Sequence, residues 1–141
     1  DSSGLVEAIE DAKAQGFEKE ALVEEFATGQ EYSIECVSWK GKHHFLAMTH
    51  KFTTGAPHFI ETGHMEPAPI SQEQLEQVKK VVFHALDSLE ITYGASHTEL
   101  KIAKDGTIAL IEIGGRMGGD FIGSNLVQLS TGIDFVKAVI D

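Results

Sequence analysis

The sequence predicts an α+β fold in which a mainly antiparallel sheet is flanked by helices. Alternating apolar and polar side chains along residues 32–52 indicate two strands joined by a Lys-Gly-Lys turn. A second pair of alternating runs encloses Asp105 and Gly106, a dipeptide typical of tight hairpins. Between these strand regions, residues 71–89 carry apolar side chains at helical spacing. Strands joined by such short turns pair antiparallel, so the pattern favours one sheet with helices packed against it.

Length and composition limit the chain to one modest hydrophobic core. Of its 141 residues 42% are hydrophobic, and no apolar run approaches the roughly 18 residues of a membrane span. The 22 acidic and 11 basic residues leave a net charge of −11, which argues against nucleic acid or an anionic membrane as a partner. The lone cysteine, Cys36, excludes an internal disulfide and a cysteine-rich zinc cluster. We therefore expect a soluble protein of a reducing compartment, by default the cytoplasm.

The first half of the chain is expected to contain one helix and four strands. Residues 4–16 form an amphipathic helix behind a cap of Ser2 or Ser3, and Gly16 ends it. The strands are expected over residues 21–26, 32–40, 43–52 and 58–64. We expect the first three strands to form an antiparallel meander and the fourth to lead into a long loop.

A second helix is expected to begin after Ser71 and to run to about Leu89. Ser71 with Glu73 and Gln74 has the composition of a capping box, in which side chains satisfy the free N–H groups of the first turn. The predicted buried stripe of this helix consists of Leu75, Val78, Val82, Ala85, Leu86 and Leu89.

The hairpin around Asp105 and Gly106 predicts that two glutamates face each other. A two-residue turn pairs Lys104 with Thr107, and the same register places Glu99 opposite Glu112. Side chains alternate along a strand, so His97 and Lys101 lie on the same side as these glutamates. The other side is expected to be a core face formed by Leu100, Ile102, Ala109 and Ile111.

The facing glutamates are candidate metal ligands. Two like charges opposed across a ladder destabilise a sheet unless something compensates for them. A divalent cation would do so, because carboxylate oxygens are ligands that Mg²⁺ prefers. In the alternatives, one glutamate is protonated or pairs with Lys101, or a three-residue turn with a bulge breaks the register.

The strand that carries Glu112 ends in the glycine-rich stretch Gly-Gly-Arg-Met-Gly-Gly. This stretch contains Arg116, the only arginine of the chain. Glycines let the backbone approach a bulky anion, and a guanidinium pairs with such an anion as a rigid fork. We interpret the stretch as an anion-facing loop, and the alternative is an ordinary glycine-rich connection with a solvated arginine.

Two motifs in this order resemble those of the ATP-grasp ligases. Glu99, with an EIGGR run that begins thirteen positions later at Glu112, is similar to the metal-binding signature of that family. The sequence departs from the signature at Gly114, where the family usually has an asparagine. One oxygen ligand is therefore missing, and water or phosphate would have to replace it.

Upstream, the stretch VEEFATGQE resembles the nucleotide hinge of the same family. The resemblance implies that Glu24, Glu25 and Phe26 lie in a strand whose backbone groups contact adenine, and that Glu31 accepts the ribose hydroxyls. Without the resemblance, the stretch is simply an edge strand.

Three further stretches look most like carboxylate–amine ligases of the amino-acid ligase type, namely HFIETGHMEPAP, GASHTELK and GGRMGGDFIGSNLVQLSTGIDF. The resemblance implies that Glu61 and His64 lie beside the carboxylate or amine being joined. It also implies that Arg116 is the catalytic residue, holding the substrate carboxylate or the acyl phosphate, and that His97 orients the site. Taken alone, a histidine such as His64 in a loop is more often only solvated.

The resemblance implies phosphoryl transfer from ATP to a carboxylate, followed by attack of an amine on the acyl phosphate. The implied cofactors are ATP and Mg²⁺ or Mn²⁺, and the implied partners are small-molecule carboxylate and amine substrates. One alternative is a non-catalytic nucleotide- or metal-binding module, which Gly114 favours. Another is an acidic interaction domain without a ligand, which leaves both motifs unexplained.

The resemblance also divides the chain. Residues 1–26 are expected to be the end of the lid subdomain and the hinge strand, and residues 27–141 the carboxy-terminal subdomain. The DSSG start resembles the end of the glycine-rich lid loop, and the chain stops inside a helical pattern. We therefore expect a fragment of a longer protein, inactive alone, because the lysines that hold the nucleotide phosphates in this family lie upstream.

Overall fold

The fold is built on an antiparallel sheet of five strands, as a computed structural model shows for residues 2–56 and 58–140. The strands are β1 (Gln30–Trp39), β2 (Lys42–Thr53), β3 (Glu61–Met65), β4 (Gly94–Ile102) and β5 (Ile108–Gly114). The helices are α1 (Ser2–Gln15), α2 (Gln72–Ser88), α3 (Val127–Thr131) and α4 (Phe135–Ile140), and a π-helical turn spans Ile122–Leu126. The sheet order is β3-β2-β1-β4-β5, and every neighbouring pair is antiparallel. The α+β class is confirmed.

One face of the sheet packs against α2. Tyr32, Ile34 and Cys36 alternate along β1, point to this face and are buried. They pack on the buried stripe of α2, which consists of Val78, Val82 and Leu86. Each aliphatic side chain buried in this way contributes about 1.5–3 kcal/mol, so this interface is the main core of the fold. No helix in the described part of the chain is both long and apolar enough to cross a bilayer.

The opposite face of the sheet is polar over much of its area. Glu31, Ser33 and Glu35 alternate along β1 on this face, and Ser33 and Glu35 are completely buried. A smaller apolar cluster covers one end, and it consists of Val37, Leu46, Ala47, Ala95, Met117, Val127 and Phe135. This cluster anchors α3 and α4 to the sheet and leaves the rest of the polar face to form a site.

The predicted strand over residues 21–26 is wrong. These residues have no sheet partner, and the side chains of Leu22, Val23 and Phe26 are 83%, 60% and 67% exposed. Both edges of β1 are occupied by β2 and β4, so the preceding segment cannot pair beside it. The predicted meander is wrong for the same reason, because β1 is the central strand.

The other elements of the first half largely match the prediction. The strands expected over residues 32–40 and 43–52 are confirmed as β1 and β2, whereas β3 begins at Glu61, later than expected. Helix α1 begins at Ser2, so the two serines lie inside its first turn and do not precede it as caps. The helix ends where predicted, and the N–H of Gly16 donates to the Ala12 carbonyl at 2.8 Å.

Helix α2 begins with the predicted cap. The Ser71 hydroxyl accepts a hydrogen bond from the backbone N–H of Gln74 at 3.1 Å. The three apolar residues at the centre of the stripe are fully buried. Leu89 is 57% exposed and does not belong to the stripe, because the helix ends at Ser88 and Leu89 is its C-cap.

The β4–β5 hairpin has the predicted glutamate pair but not the predicted turn. The loop is longer than two residues, since the Ala103 N–H donates to the Thr107 carbonyl and Ile102 pairs with Ile108. A bulge between Glu99 and Leu100 then shifts the register by one residue and brings Glu99 opposite Glu112. The pairing is confirmed because loop and bulge compensate for each other.

The bulge also changes which residues of the hairpin reach the core. Leu100 and Ile102 are buried as predicted. Ile111 is 45% exposed and Ala109 is only partly buried, so the expected core face is wrong for both. Their place against the core is taken by Ile108 and Ile113.

Cys36 should resist alkylation in the native protein and react once the protein unfolds. Burial, followed by the charge of neighbouring Glu35, raises the pKa of this thiol to about 12, so almost no thiolate exists at neutral pH. Iodoacetamide labelling with mass spectrometry of the Cys36 peptide measures the rate, and the protein in denaturant is the control. Native labelling as fast as in the control would contradict the packing of β1 against α2.

Candidate functional site

The polar face is centred on a buried lysine that contacts carboxylates from three other strands. The Lys51 side chain, on β2, is only 3% exposed. Its Nζ lies 2.5 Å from an oxygen of Glu61 and 3.0 Å from one of Glu99. An oxygen of Glu31 lies 3.4 Å away. These four residues, the Lys51 cluster, join β1, β2, β3 and β4 through one ammonium group.

A β-bulge brings two predicted substrate residues to the same side of β3. Lys51 pairs with His64, whereas Thr53 pairs with Glu61 after a register shift. Residues three apart on a regular strand point to opposite faces, but this bulge turns Glu61 and His64 to the same face. Their side chains are in contact, with His64 Nε2 3.1 Å from Glu61 Oε2.

The groups of the Lys51 cluster stabilise each other's charged forms. Burial alone would lower the pKa of Lys51, but hydrogen bonds to Glu61 and Glu99 raise it above its ordinary range. A hydrogen bond from His97 is the largest cause that lowers the pKa of Glu99 to about 2, and Lys51 adds to it. Burial opposes the shift of Glu61, yet hydrogen bonds from Lys51 and His64 lower its pKa. The cluster therefore holds ionised carboxylates beside an ammonium group at neutral pH.

His97 links this cluster to a second buried carboxylate. Its Nδ1 makes a short hydrogen bond with Glu35, and its Nε2 lies 3.2 Å from Glu99 Oε1. Burial would lower the pKa of His97, but hydrogen bonds with Glu35 and Glu99 raise it to about 9. The other oxygen of Glu35 accepts from the Gly118 N–H at 3.0 Å.

Of the two facing glutamates, only Glu99 has cationic partners within the described residues. Glu99 is paired with Lys51 and His97. Lys101 does not compensate, because its Nζ lies near Glu31, at 3.9 Å, and over the rings of Phe26 and Phe59. Glu112 is exposed and has no ion-pair partner within the described part of the chain. The carboxylate pair therefore keeps free oxygen positions for a cation.

Arg116 lies in the same pocket as the Lys51 cluster. The pocket has a volume of about 410 Å³ and is lined by Lys51, Glu61, His97, Glu99, Arg116, Met117, Gly119, Asp120 and Ile122. The guanidinium is exposed and donates to the Met117 carbonyl at 3.0 Å. The pocket brings together Glu61, Glu99 and Arg116, which come from distant parts of the sequence. Glu112 and His64 do not line it, and they lie beside it, opposite Glu99 and in contact with Glu61, respectively.

The predicted hinge residues line a separate cavity of about 540 Å³. Glu24, Glu25 and Phe26 form one wall, and residues of the β4–β5 hairpin, including Lys101 and Ile111, form the other. The hinge segment lies along this cavity although it is not a strand. Glu31 does not line it but reaches its edge through Lys101.

Gly29 determines where the hinge segment joins β1. It has φ +132°, and a Cβ at this position would lie 2.4 Å from the Ile102 carbonyl oxygen. Only glycine allows this close approach, which holds residues 24–28 against the hairpin.

Sequence reasoning missed three residues of the site. Lys51 and Glu35 are charged residues inside buried strands, and this was the signal that could have identified them. Asp120 was missed as well: its carboxylate, with Glu61 and His64, places three possible metal-ligating atoms within 4.8 Å of one another. Asp120 and Glu61 both line the polar pocket.

Comparisons with known proteins agree with this architecture. Residues 5–124 match a family model described as ATP-grasp domain. The chain is 27% identical to alanine–anticapsin ligase from Bacillus subtilis (strain 168), in a match that covers 96% of the chain and 31% of that relative. Over 125 residues it is 28% identical to carnosine synthase 1 from Homo sapiens, covering 89% of the chain and 15% of that relative.

A solved structure gives the same result. The crystal structure of L-amino acid ligase from Bacillus licheniformis superposes with a TM-score of 0.77 at 37% identity, covering 82% of the chain and 29% of that protein. The chain spans less than a third of the length of each of these relatives. Since the matched domain model includes most of the chain, the chain belongs to the ATP-grasp family.

Proposed function

We propose that the intact protein containing this chain is an ATP-dependent carboxylate–amine ligase that forms amide or peptide bonds. The observation that carries this proposal is the pair of facing carboxylates, Glu99 and Glu112, beside the pocket that contains Arg116. Membership of the ATP-grasp family supports the use of ATP. The names of the relatives, two ligases and a synthase, support the reaction class.

Glu99 and Glu112 would hold Mg²⁺ or Mn²⁺. Their donor set fits such an ion, because both are carboxylates on paired strands and Glu112 is free of ion pairs within the described residues. When bound, the cation would neutralise charge on the nucleotide phosphates during phosphoryl transfer. Gly114 supplies no side-chain oxygen, so water or phosphate would complete the coordination.

We assign the cavity beside the hinge segment to the nucleotide. Glu24, Glu25 and Phe26 line it, and backbone groups of Glu25 and Phe26 would contact the adenine edge. The Glu31 carboxylate would accept hydrogen bonds from the ribose hydroxyls. Its contacts with Lys51 and Lys101 hold that carboxylate at the border between the two cavities.

Arg116, Glu61 and His64 would bind the substrates. Arg116 uses one N–H group to reach Met117, so its exposed fork has further donors for a substrate carboxylate or an acyl phosphate. Glu61 lines the pocket and contacts His64, and these two residues would face the amine or the acid. The pocket thus offers a cationic group for an anion and a polar group for the second substrate.

The proposed reaction has two steps. A carboxylate oxygen of the acid attacks the γ-phosphorus of ATP, and ADP leaves with the electrons of the broken bond. The amine nitrogen of the second substrate then attacks the acyl carbon, phosphate leaves, and the nitrogen loses a proton. Arg116 would stabilise the charge of the acyl phosphate. Glu99, whose pKa is about 2, is a poor base and acts as a ligand.

The proposal extends to the organisation of the intact protein. Residues 1–26 would be the end of the lid subdomain and the hinge, and residues 27–141 the carboxy-terminal subdomain. The phosphate-binding lysines would be supplied by the rest of the protein. The single free cysteine of the chain, Cys36, supports a reducing compartment such as the cytoplasm.

A second candidate is a non-catalytic module that binds nucleotide and metal. Gly114 favours it, because glycine supplies no side-chain oxygen where the family usually has an asparagine. A Cβ at this position would lie 3.3 Å from Arg116 Cγ. The arginine side chain therefore lies over the position where the family usually has an asparagine. Such a module would bind ATP but release no ADP.

Glu112→Gln should weaken metal-dependent ATP binding by the intact protein. The amide has no charge and one oxygen, so it is a much poorer ligand than the carboxylate. Calorimetry with MgATP, compared with ATP in excess chelator, measures the metal-dependent part of the affinity. Glu73→Gln, at an exposed position of α2, is the matched control and should bind as the parent does. Equal metal-dependent affinity in parent and Glu112→Gln would reject the site.

Glu31→Ala and Arg116→Lys should impair different kinetic constants. Glu31→Ala removes an interaction made equally in ground and transition states, so the KM for ATP should rise more than kcat falls. Arg116→Lys keeps the charge but loses the bidentate fork, and should lower kcat by roughly ten- to a thousandfold with little change in ATP affinity.

Steady-state ADP release with a panel of amino acids as acid and amine measures both effects. If Arg116→Lys weakens only ATP binding, Arg116 contacts the nucleotide and its assignment to the acyl phosphate is wrong. If the parent binds MgATP but releases no ADP with any pair of substrates, the non-catalytic module is favoured.

A further inference from the structure

Glu35 is a completely buried carboxylate, and both of its oxygens have partners on different elements. One oxygen contacts His97 on β4, and the other accepts the Gly118 N–H from the loop after β5. A buried carboxyl group without hydrogen-bond partners would destabilise the fold strongly. Its two hydrogen bonds therefore determine where β1, β4 and the glycine-rich loop lie relative to one another.

The loop approaches this ion pair so closely that only glycine fits. A Cβ at Gly118 would lie 2.5 Å from the Glu35 oxygen and 2.8 Å from His97 Nδ1. Next to it, a Cβ at Gly119 would meet nothing within 4 Å. The backbone at Gly118 is thus seated on the Glu35–His97 pair, two residues after Arg116.

The other end of the pair reaches the facing carboxylates. His97 Nε2 lies 3.2 Å from Glu99, so both ring nitrogens have carboxylate partners and the ring orientation is fixed. A continuous path of contacts runs from the Gly118 backbone through Glu35 and His97 to Glu99. It connects the loop that carries Arg116 to the proposed metal ligand.

We propose that Glu35 is a positioning residue that holds the Arg116 loop in register with Glu99. This inference rests on the proposed function, in which the acyl phosphate must contact Arg116 while the metal is held by Glu99. A displacement of about 1 Å at a reacting group can cost a hundredfold in rate, so a misplaced loop should impair catalysis more than nucleotide binding.

The test combines changes from both sides of the contact in the intact protein. Glu35→Met removes the carboxylate but keeps its length, and Gly118→Ala pushes the loop away while every charge remains. Each should lower kcat roughly a hundredfold, with the KM for ATP changed less than about threefold. Gly119 lines the pocket, so Gly119→Ala serves only as the matched control for loop mobility, because its Cβ would meet no protein atom within 4 Å. Glu73→Gln, at an exposed position of α2, is the control for turnover and should leave kcat within about twofold.

Two further variants separate positioning from general damage to the fold. Glu35→Gln can still accept from Gly118 and contact His97, so it should recover most of the rate lost in Glu35→Met. In the double variant Glu35→Met/Gly118→Ala, the two losses should not add, because both break the same contact. Additive losses, an unaffected kcat in Gly118→Ala, or no recovery in Glu35→Gln would each overturn the proposal.

A readout without turnover keeps this test separate from that of the proposed function. Hydrogen exchange over residues 114–123 should be faster in Glu35→Met and Gly118→Ala than in the parent, and unchanged in Gly119→Ala. If the parent has no ligase activity but exchange behaves in this way, the reaction is wrong and the loop anchor stands. If exchange is the same in all variants, Glu35 does not position the loop.

Discussion

The site depends on the buried ammonium group of Lys51, which contacts three carboxylates. Its ammonium group is buried on β2, and its partners Glu31, Glu61 and Glu99 come from three other strands. A buried cation requires counter-charges, and neighbouring carboxylates repel one another unless a cation lies between them. The ammonium group and the carboxylates therefore stabilise each other. The sheet order places these strands side by side, and the residues proposed to bind ribose, substrate and metal therefore share one counter-ion.

One face of the sheet stabilises the fold, and the other face carries the residues of the proposed site. The face against α2 is apolar and provides the main core, which leaves the other face free to bury charge. Bulges then adjust this polar face: one turns Glu61 and His64 to the same side, and another brings Glu99 opposite Glu112. Both irregularities lie next to residues of the proposed site.

Local patterns in the sequence predicted much of the fold. The stripe and cap of α2 were predictable, because helical periodicity and capping act over short distances. Glu99 does lie opposite Glu112 as predicted, but through a longer loop and a bulge that compensate for each other. The strand predicted over residues 21–26 does not form, because β2 and β4 already occupy both edges of β1. Lys51 was missed because its partner Glu99 is 48 residues away, and strand order, which decides that contact, has no local signature.

Lys51 supplies a counter-charge that Glu31, Glu61 and Glu99 share. The most direct test is the apparent Tm of the intact protein with Lys51→Met, measured with increasing Mg²⁺ and with Na⁺ at equal ionic strength. We predict a lower Tm in Lys51→Met, corresponding to a loss of about 2 kcal/mol in the free energy of unfolding. This is less than the roughly 3–5 kcal/mol lost when a fully buried pair is broken, because these carboxylates are partly exposed. Mg²⁺ should restore part of the Tm, and Na⁺ should not. Lys104→Met, at an exposed loop position, should match the parent. An unchanged Tm in Lys51→Met, or an equal rise of its Tm with both salts, would contradict this role of Lys51.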